Sequence, residues 1–203
     1  MIKVKTYRTG PISVNTYIVY DDESKQGFVV DPGGSFKRLA ADSEALGLNL
    51  CAVLLTHGHF DHIGAAKAFQ DAGVRVYIHE ADESMLHTGG NLGSMMGLTL
   101  QPFRADELLR GGETLNICGM EIKVIHTPGH TEGGVCYILE DKLFSGDTLF
   151  RLTVGRTDFP GGSSSELRAS VQRLFALPGD MQVYPGHEEP TTLDFERKHN
   201  PLI

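Results

Sequence analysis

The stretch Leu54-Leu55-Thr56-His57-Gly58-His59-Phe60-Asp61-His62 puts three histidines and an aspartate within six positions. The residues before it, 51–55, are short and uniformly apolar, the pattern of a strand covered on both faces. Thr56 and Gly58 let the chain turn as it leaves that strand. Imidazole and carboxylate side chains at this density suit a borderline divalent ion. Zinc is the first expectation, with iron or manganese also acceptable.

The pattern recurs. Ile125-His126-Thr127-Pro128-Gly129-His130, Leu143-Phe144-Ser145-Gly146-Asp147 and Val183-Tyr184-Pro185-Gly186-His187 each end an apolar run on small residues followed by a metal-competent side chain. Loops leaving strand ends on one sheet edge can converge on a point. Asp147 can bridge two cations there, and His130 and His187 can complete their shells. The other histidines, His79, His87, His126 and His199, lack such company. His126 and His79 are expected to be structural strand-end residues.

Working outward, residues 13–20 and 27–30 read as strands, followed by the break Asp31-Pro32-Gly33-Gly34. Ser35 is positioned to cap a helix ending at Gly47. Residues 63–72 show helical spacing, and 74–78 form another strand. Residues 80–104 read as a short helix plus a loop. Their methionines, Met85, Met95 and Met96, are expected to fill core, with a methionine-lined substrate wall as the alternative. Residues 120–125 alternate as a half-buried strand, and 135–139 and 142–144 pair around Glu140-Asp141. Residues 163–177 form the clearest helix, with Ser163 and Glu166 at capping-box spacing. A last strand covers 181–184, and 191–199 suit a terminal helix, with Arg197 and Lys198 on a solvated face. Strands alternating with helices indicate an α/β protein with mixed sheets.

Composition bounds the function. The 203 residues carry a net charge of −8, which disfavours nonspecific binding to phosphate backbones. No apolar run reaches the ~18 residues of a membrane span, and the N-terminus has no apolar signal core. No nucleic acid or membrane partner is therefore expected. The three cysteines, Cys51, Cys118 and Cys136, are far apart and form no CxxC. They read as unpaired buried residues in a reducing cytoplasm. Glycine, at 24 residues, is enriched at the ends of apolar runs rather than in a linker.

On these residues the sequence resembles the metallo-β-lactamase-fold hydrolases, within them the glyoxalase II type. The matching segments are 56–62, Thr127-Pro128-Gly129-His130-Thr131, Gly146-Asp147-Thr148-Leu149-Phe150 and Pro185-Gly186-His187-Glu188, with Asp31-Pro32-Gly33-Gly34 as the early turn. The resemblance implies one domain over residues 1–203, an αββα sandwich of two mixed β-sheets flanked by helices. It implies a dinuclear site: His57, His59 and His130 on one ion, Asp61, His62 and His187 on the other, and Asp147 between them. Asp61 and Asp147 are then also the catalytic carboxylates. Residues 188–203 alone follow His187, so the helical domain of larger glyoxalase II enzymes is expected to be missing and thiol recognition to differ.

Two ions sharing a water bring its pKa toward neutrality, and the resulting hydroxide attacks an acyl carbonyl. A thiol, with a pKa near ~8.5, leaves without a dedicated acid, which favours thioesters over amides. A hydroxyacyl thioester such as S-lactoylglutathione is the expected small-molecule substrate. A mononuclear iron persulfide dioxygenase using His57, His130 and Asp147 is the alternative. A lactonase or lactamase and a non-catalytic metal-binding protein come after it. Asp31 either orients a ligand from behind or caps its turn. Arg156 either binds a substrate carboxylate or pairs with Asp158. The sequence leaves the oligomeric state open.

Overall fold

The computed structural model describes all residues, Met1–Ile203. The first sheet contains β1 (Ile2–Thr9), β2 (Val14–Asp21), β3 (Gln26–Val30), β4 (Asn49–Leu54), β5 (Arg75–His79) and β6 (Glu107–Leu109), in that spatial order. β1–β3 pair antiparallel, and β3 to β6 run parallel. The chain continues through β7 (Thr114–Ile117), β8 (Met120–His126), β9 (Val135–Leu139) and β10 (Lys142–Gly146). A ribbon of β11 (Leu149–Phe150) and β12 (Thr153–Val154) follows, then β13 (Gln182–Pro185) and β14 (Thr191–Thr192). The second sheet runs β14-β13-β10-β9-β8-β7. Helices α1 (Phe36–Ala45), α2 (Phe60–Ile63) and α3 (Ala66–Asp71) belong to the first half of the chain, and α4 (Ser164–Phe175) and α5 (Leu193–His199) to the second.

The period-2 alternation of a strand explains the layering. Tyr17, Val19, Phe28, Val30, Ala52 and Leu54 point to one face of the first sheet and meet Ile122, Val124, Tyr137 and Phe144 of the second. Their neighbours Ile18, Val29, Val53 and Leu55 point the other way and pack with Leu39, Ala66 and Phe69 of the helices. On the far side Cys136, Ile138, Leu143 and Val183 pack with Val171, Leu174 and Leu193. Both faces of the central strands are buried, so their sequences read as continuous apolar runs. The two mixed sheets flanked by helices match the expected αββα sandwich.

Several local expectations need correction. The helix expected over 63–72 is interrupted at Gly64-Ala65. There the backbone lies against the early turn, with Ala65 N–H donating to Pro32 O at 2.7 Å, and a Cβ at Gly64 would collide with Gly33 O. Ser35 does not cap α1: its φ is 60° and its side chain makes no cap bond. Ser163 does cap α4, accepting from Glu166 N–H at 3.3 Å. Its own N–H goes to Gly129 O at 2.8 Å, which replaces the second half of the box. Residues 80–104 hold three 3₁₀ turns instead of one helix. Arg197 is not a solvated face residue. Its guanidinium donates to the carbonyls of Phe175, Leu177 and Gly179, closing the end of α4. β1 escaped the sequence reading because charged residues fall on both of its faces, Lys3 and Lys5 on one and Arg8 on the other.

The cysteines also depart from expectation. Cys51 on β4 and Cys118 in the β7–β8 turn are joined as a disulfide, Cα–Cα 6.3 Å apart, and only Cys136 is free. Residues 67 apart in sequence meet because the two sheets stack. The pairing removes the cysteine argument for a reducing compartment. Thiol titration of the unfolded, unreduced chain should count one thiol, and three after reduction. Reduction should lower stability to denaturant by about 4 kcal/mol on a chain-entropy basis. A count of three without reduction would refute the bond. No helix is long and apolar enough to cross a membrane.

Candidate metal centre

The parallel pairing of β3 with β4, and of β10 with β13, brings their carboxyl ends to one edge of the sandwich. β4 delivers His57, His59, Asp61 and His62; β10 delivers Asp147; β13 delivers His187; and the loop after β8 delivers His130. All seven candidate residues converge. Nitrogen and oxygen atoms of His57, His59 and His130 lie within 4.8 Å of one another, as do those of His57, His62 and Asp147, and those of Asp61, His62 and His187. Asp147 Oδ1 stands 3.4 Å from His62 Nε2, while its Oδ2 stands 3.5 Å from His130 Nε2 and 3.8 Å from His187 Nε2. Asp61 Oδ2 lies 3.1 Å from His187 Nε2 and 3.3 Å from His62 Nε2. Gly186 is required by this crowding, since a Cβ there would strike Asp147 Oδ1 and His62 Cε1.

The outer nitrogens fix how the rings face the centre. Asp31 Oδ1 accepts from Thr56 N–H at 2.7 Å, and its Oδ2 accepts from Thr56 Oγ1 at 2.6 Å. Thr56 Oγ1, having donated its proton, accepts from His57 Nδ1 at 3.1 Å. Asp31 Oδ2 also faces His62 Nδ1 at 2.8 Å. His130 Nδ1 donates to Arg156 O at 2.7 Å. In its neutral form each of these three rings therefore turns an unprotonated Nε2 inward, that of His130 meeting His59 Nδ1 at 2.9 Å. His57 Nε2, His62 Nε2 and Asp147 Oδ1 are buried without a hydrogen-bond partner. Three orphaned polar atoms drawn from one cluster are costly unless a cation joins them. The donor set fits a divalent metal: imidazole nitrogens and carboxylate oxygens with open access from one side.

The electrostatics agree. Burial, together with the neighbouring imidazoles, lowers the pKa of His57, and burial with His130 lowers that of His59 to about 3. Both rings are thus neutral ligands at ordinary pH. Burial opposes the charge on Asp61 and Asp147, but the pull of His62 outweighs it. Asp61 is held well below the usual carboxylate range and Asp147 at about 2. His62 is pushed up despite burial, because Asp61, Asp147 and Asp31 surround it.

Asp31 spends its side-chain bonds on Thr56 and His62 Nδ1. Its φ of 47° is a left-handed conformation that short polar residues tolerate. Arg156 takes the salt-bridge role, held by Asp158 through two 2.6 Å bonds, with its guanidinium 4.0 Å from the Phe159 ring centre. His79 and His126 stay outside the centre, stacked on each other at 4.2 Å. His79 is not fully satisfied, however, since its Nε2 is buried without a partner. His87 pairs with Glu83, and His199 packs on Phe195.

Sequence reading missed Asp82. It is buried and accepts from Gly58 N–H at 3.1 Å, Thr131 Oγ1 at 2.7 Å and Gly133 N–H at 2.7 Å. It ties the His57–His62 loop to the His130 loop. An aspartate in a polar 3₁₀ turn carries no local sign of this, because both partner loops are distant in sequence. Asp82→Ala would orphan three buried donors and should cost about 3 kcal/mol. A fall in melting temperature of about 6–12 °C is the expected readout, and an unchanged melting temperature would contradict the tie.

The sequence profile of the Metallo-beta-lactamase superfamily matches residues 9–187. The chain belongs to this superfamily. Its members are metal-dependent hydrolases. Hydroxyacylglutathione hydrolase GloC of Haemophilus influenzae is 37% identical over 196 residues, covering 93% of this chain and 92% of its own. Among solved structures, the BLEG-1 B3 metallo-beta-lactamase superimposes with a TM-score of 0.94 at 38% identity, covering 98% of each chain. TTHA1623 in a di-iron-bound form gives 0.88 at 35% identity, covering 98% of this chain and all of the other.

Proposed function

We propose that the chain is a dinuclear metal-dependent thioester hydrolase, with a hydroxyacyl thioester such as S-lactoylglutathione as its first test substrate. The observation that carries the dinuclear reading is Asp147. Its two oxygens face histidines of both triads, while His57 Nε2 and His62 Nε2 stay unpartnered around it. The similarity to GloC supports the thioester, and the di-iron TTHA1623 supports keeping iron beside zinc and manganese.

In this reading His57, His59 and His130 hold one ion, Asp61, His62 and His187 hold the other, and Asp147 lies between. Two such ions, when bound, supply a nucleophilic water at neutral pH and positive charge for a developing oxyanion. The chain supplies the rest. Asp31, Thr56 and the Arg156 carbonyl lock the imidazoles in the tautomer that leaves Nε2 free. Asp61 and Asp147, the two carboxylates at the floor of the cavity, are placed to orient the attacking water by hydrogen bonds. A thiolate leaves without taking a proton from the chain.

The test pairs metal content with S-lactoylglutathione hydrolysis on anaerobically purified protein. About two ions per chain with cleavage supports the reading. About one iron with no cleavage, and oxygen uptake with a persulfide, would replace it by the dioxygenase.

A further inference from the structure

Above the seven clustered residues lies a cavity of about 460 Å³. Its floor is polar, and much of its wall is apolar: Ile12, Met95, Met96, Phe150, Val154 and Phe159 line it. Three of these residues are exposed, Met95 at 68%, Met96 at 53% and Ile12 at 43%. The expectation that these methionines fill core fails for Met95 and Met96. They come from a 3₁₀ turn (Gly93–Met96), and Ile12 from the β1–β2 turn, so two separate segments put apolar groups at one mouth. Apolar side chains gathered around a polar floor mark a ligand surface.

The charges lining the cavity point the same way. Apart from the histidines, its only cation is Arg156, and Asp158 already holds the Nε–Nη2 edge of that guanidinium while Phe159 covers its face. Glu188 adds a negative charge at the wall. A carrier such as glutathione, with two carboxylates, finds a single cation here, already paired with Asp158 along one edge.

Building on the hydrolase reading above, we propose that this cavity selects a thioester flanked by uncharged, apolar groups, and that Met95 and Met96 set the preference. The apolar group belongs to the acyl side or to the thiol side, and the experiment separates them. Four thioesters are compared on the metal-loaded chain: hexanoyl or lactoyl, each on glutathione or on N-acetylcysteamine. Preference for hexanoyl on both thiols, by at least about tenfold in kcat/KM, seats the acyl group on the methionines. Preference for N-acetylcysteamine with both acyl groups seats the thiol arm there. Lactoylglutathione as the best of the four would overturn the proposal and leave the hydrolase reading standing.

Binding gives a readout free of turnover. The uncleavable S-hexyl and S-(2-hydroxypropyl) thioethers of N-acetylcysteamine are titrated by calorimetry, and their glutathione counterparts alongside them. An S-hexyl advantage on either thiol, or tighter binding of the N-acetylcysteamine compounds, supports the proposal even if no thioester is cleaved. Equal affinities across the set overturn it. In Met95→Ser/Met96→Ser, two exposed positions whose change spares the core, the selectivity ratio should fall toward one. A ratio that stays put would remove the methionines from the assignment.

Discussion

Asp147→Ala is expected to lose metal and thioester turnover together. Metal per chain should fall from about two to below one, and kcat by at least about a thousandfold. The residue supplies an oxygen to each half of the centre, 3.4 Å from His62 Nε2 and 3.5 Å from His130 Nε2. Without it five imidazoles face one another with no anion between the two triads. The substitution removes only a short side chain at the end of β10, and Gly146 and Gly186 continue to hold the backbone, N–H to carbonyl, at 2.8 Å. Circular dichroism should therefore show the fold retained. Elemental analysis beside the thioester assay is the check. Two bound ions with full turnover would dismiss Asp147 from the centre.

Asp31→Asn is expected to weaken metal binding by about 10–100-fold with little change in fold. Asparagine fits the left-handed backbone at this position as well as aspartate does. Its oxygen can keep the bond from Thr56 N–H, which leaves the amide nitrogen toward Thr56 Oγ1 and His62 Nδ1. Two donors then confront each other unless His62 moves its proton to Nε2, the nitrogen that faces the centre. That tautomer cannot ligate. Competition with a chromophoric chelator measures the affinity. Wild-type affinity in a folded Asp31→Asn chain would reduce Asp31 to a turn residue.

The site was legible to different depths. The dense run from His57 to His62 can be read locally because consecutive residues carry its chemistry, and the Gly-His and Gly-Asp endings at 129–130, 146–147 and 186–187 repeat the same grammar. Asp82 was illegible. Its three partners lie in loops 24 to 51 residues away, and nothing in Glu80–Leu86 marks it. Arg156 and Asp31 left two readings each, because a guanidinium two residues from an acid, or an aspartate in a turn, satisfies either one locally. The methionines misled for a related reason: apolarity does not say which side of a loop faces water.

Sequence alone determined the elements whose signal is periodic and local. The buried central strands, the capped helix at Ser164–Phe175 and the family motif all follow from side-chain pattern. Tertiary structure alone decided what depends on the stacking of two sheets. That stacking brings Cys51 to Cys118, breaks the helix at Gly64 against the Asp31–Gly33 turn, and sets Asp147 between histidines from three other loops. These contacts join residues dozens of positions apart, and no short-range pattern encodes a distance that only the packed sandwich fixes.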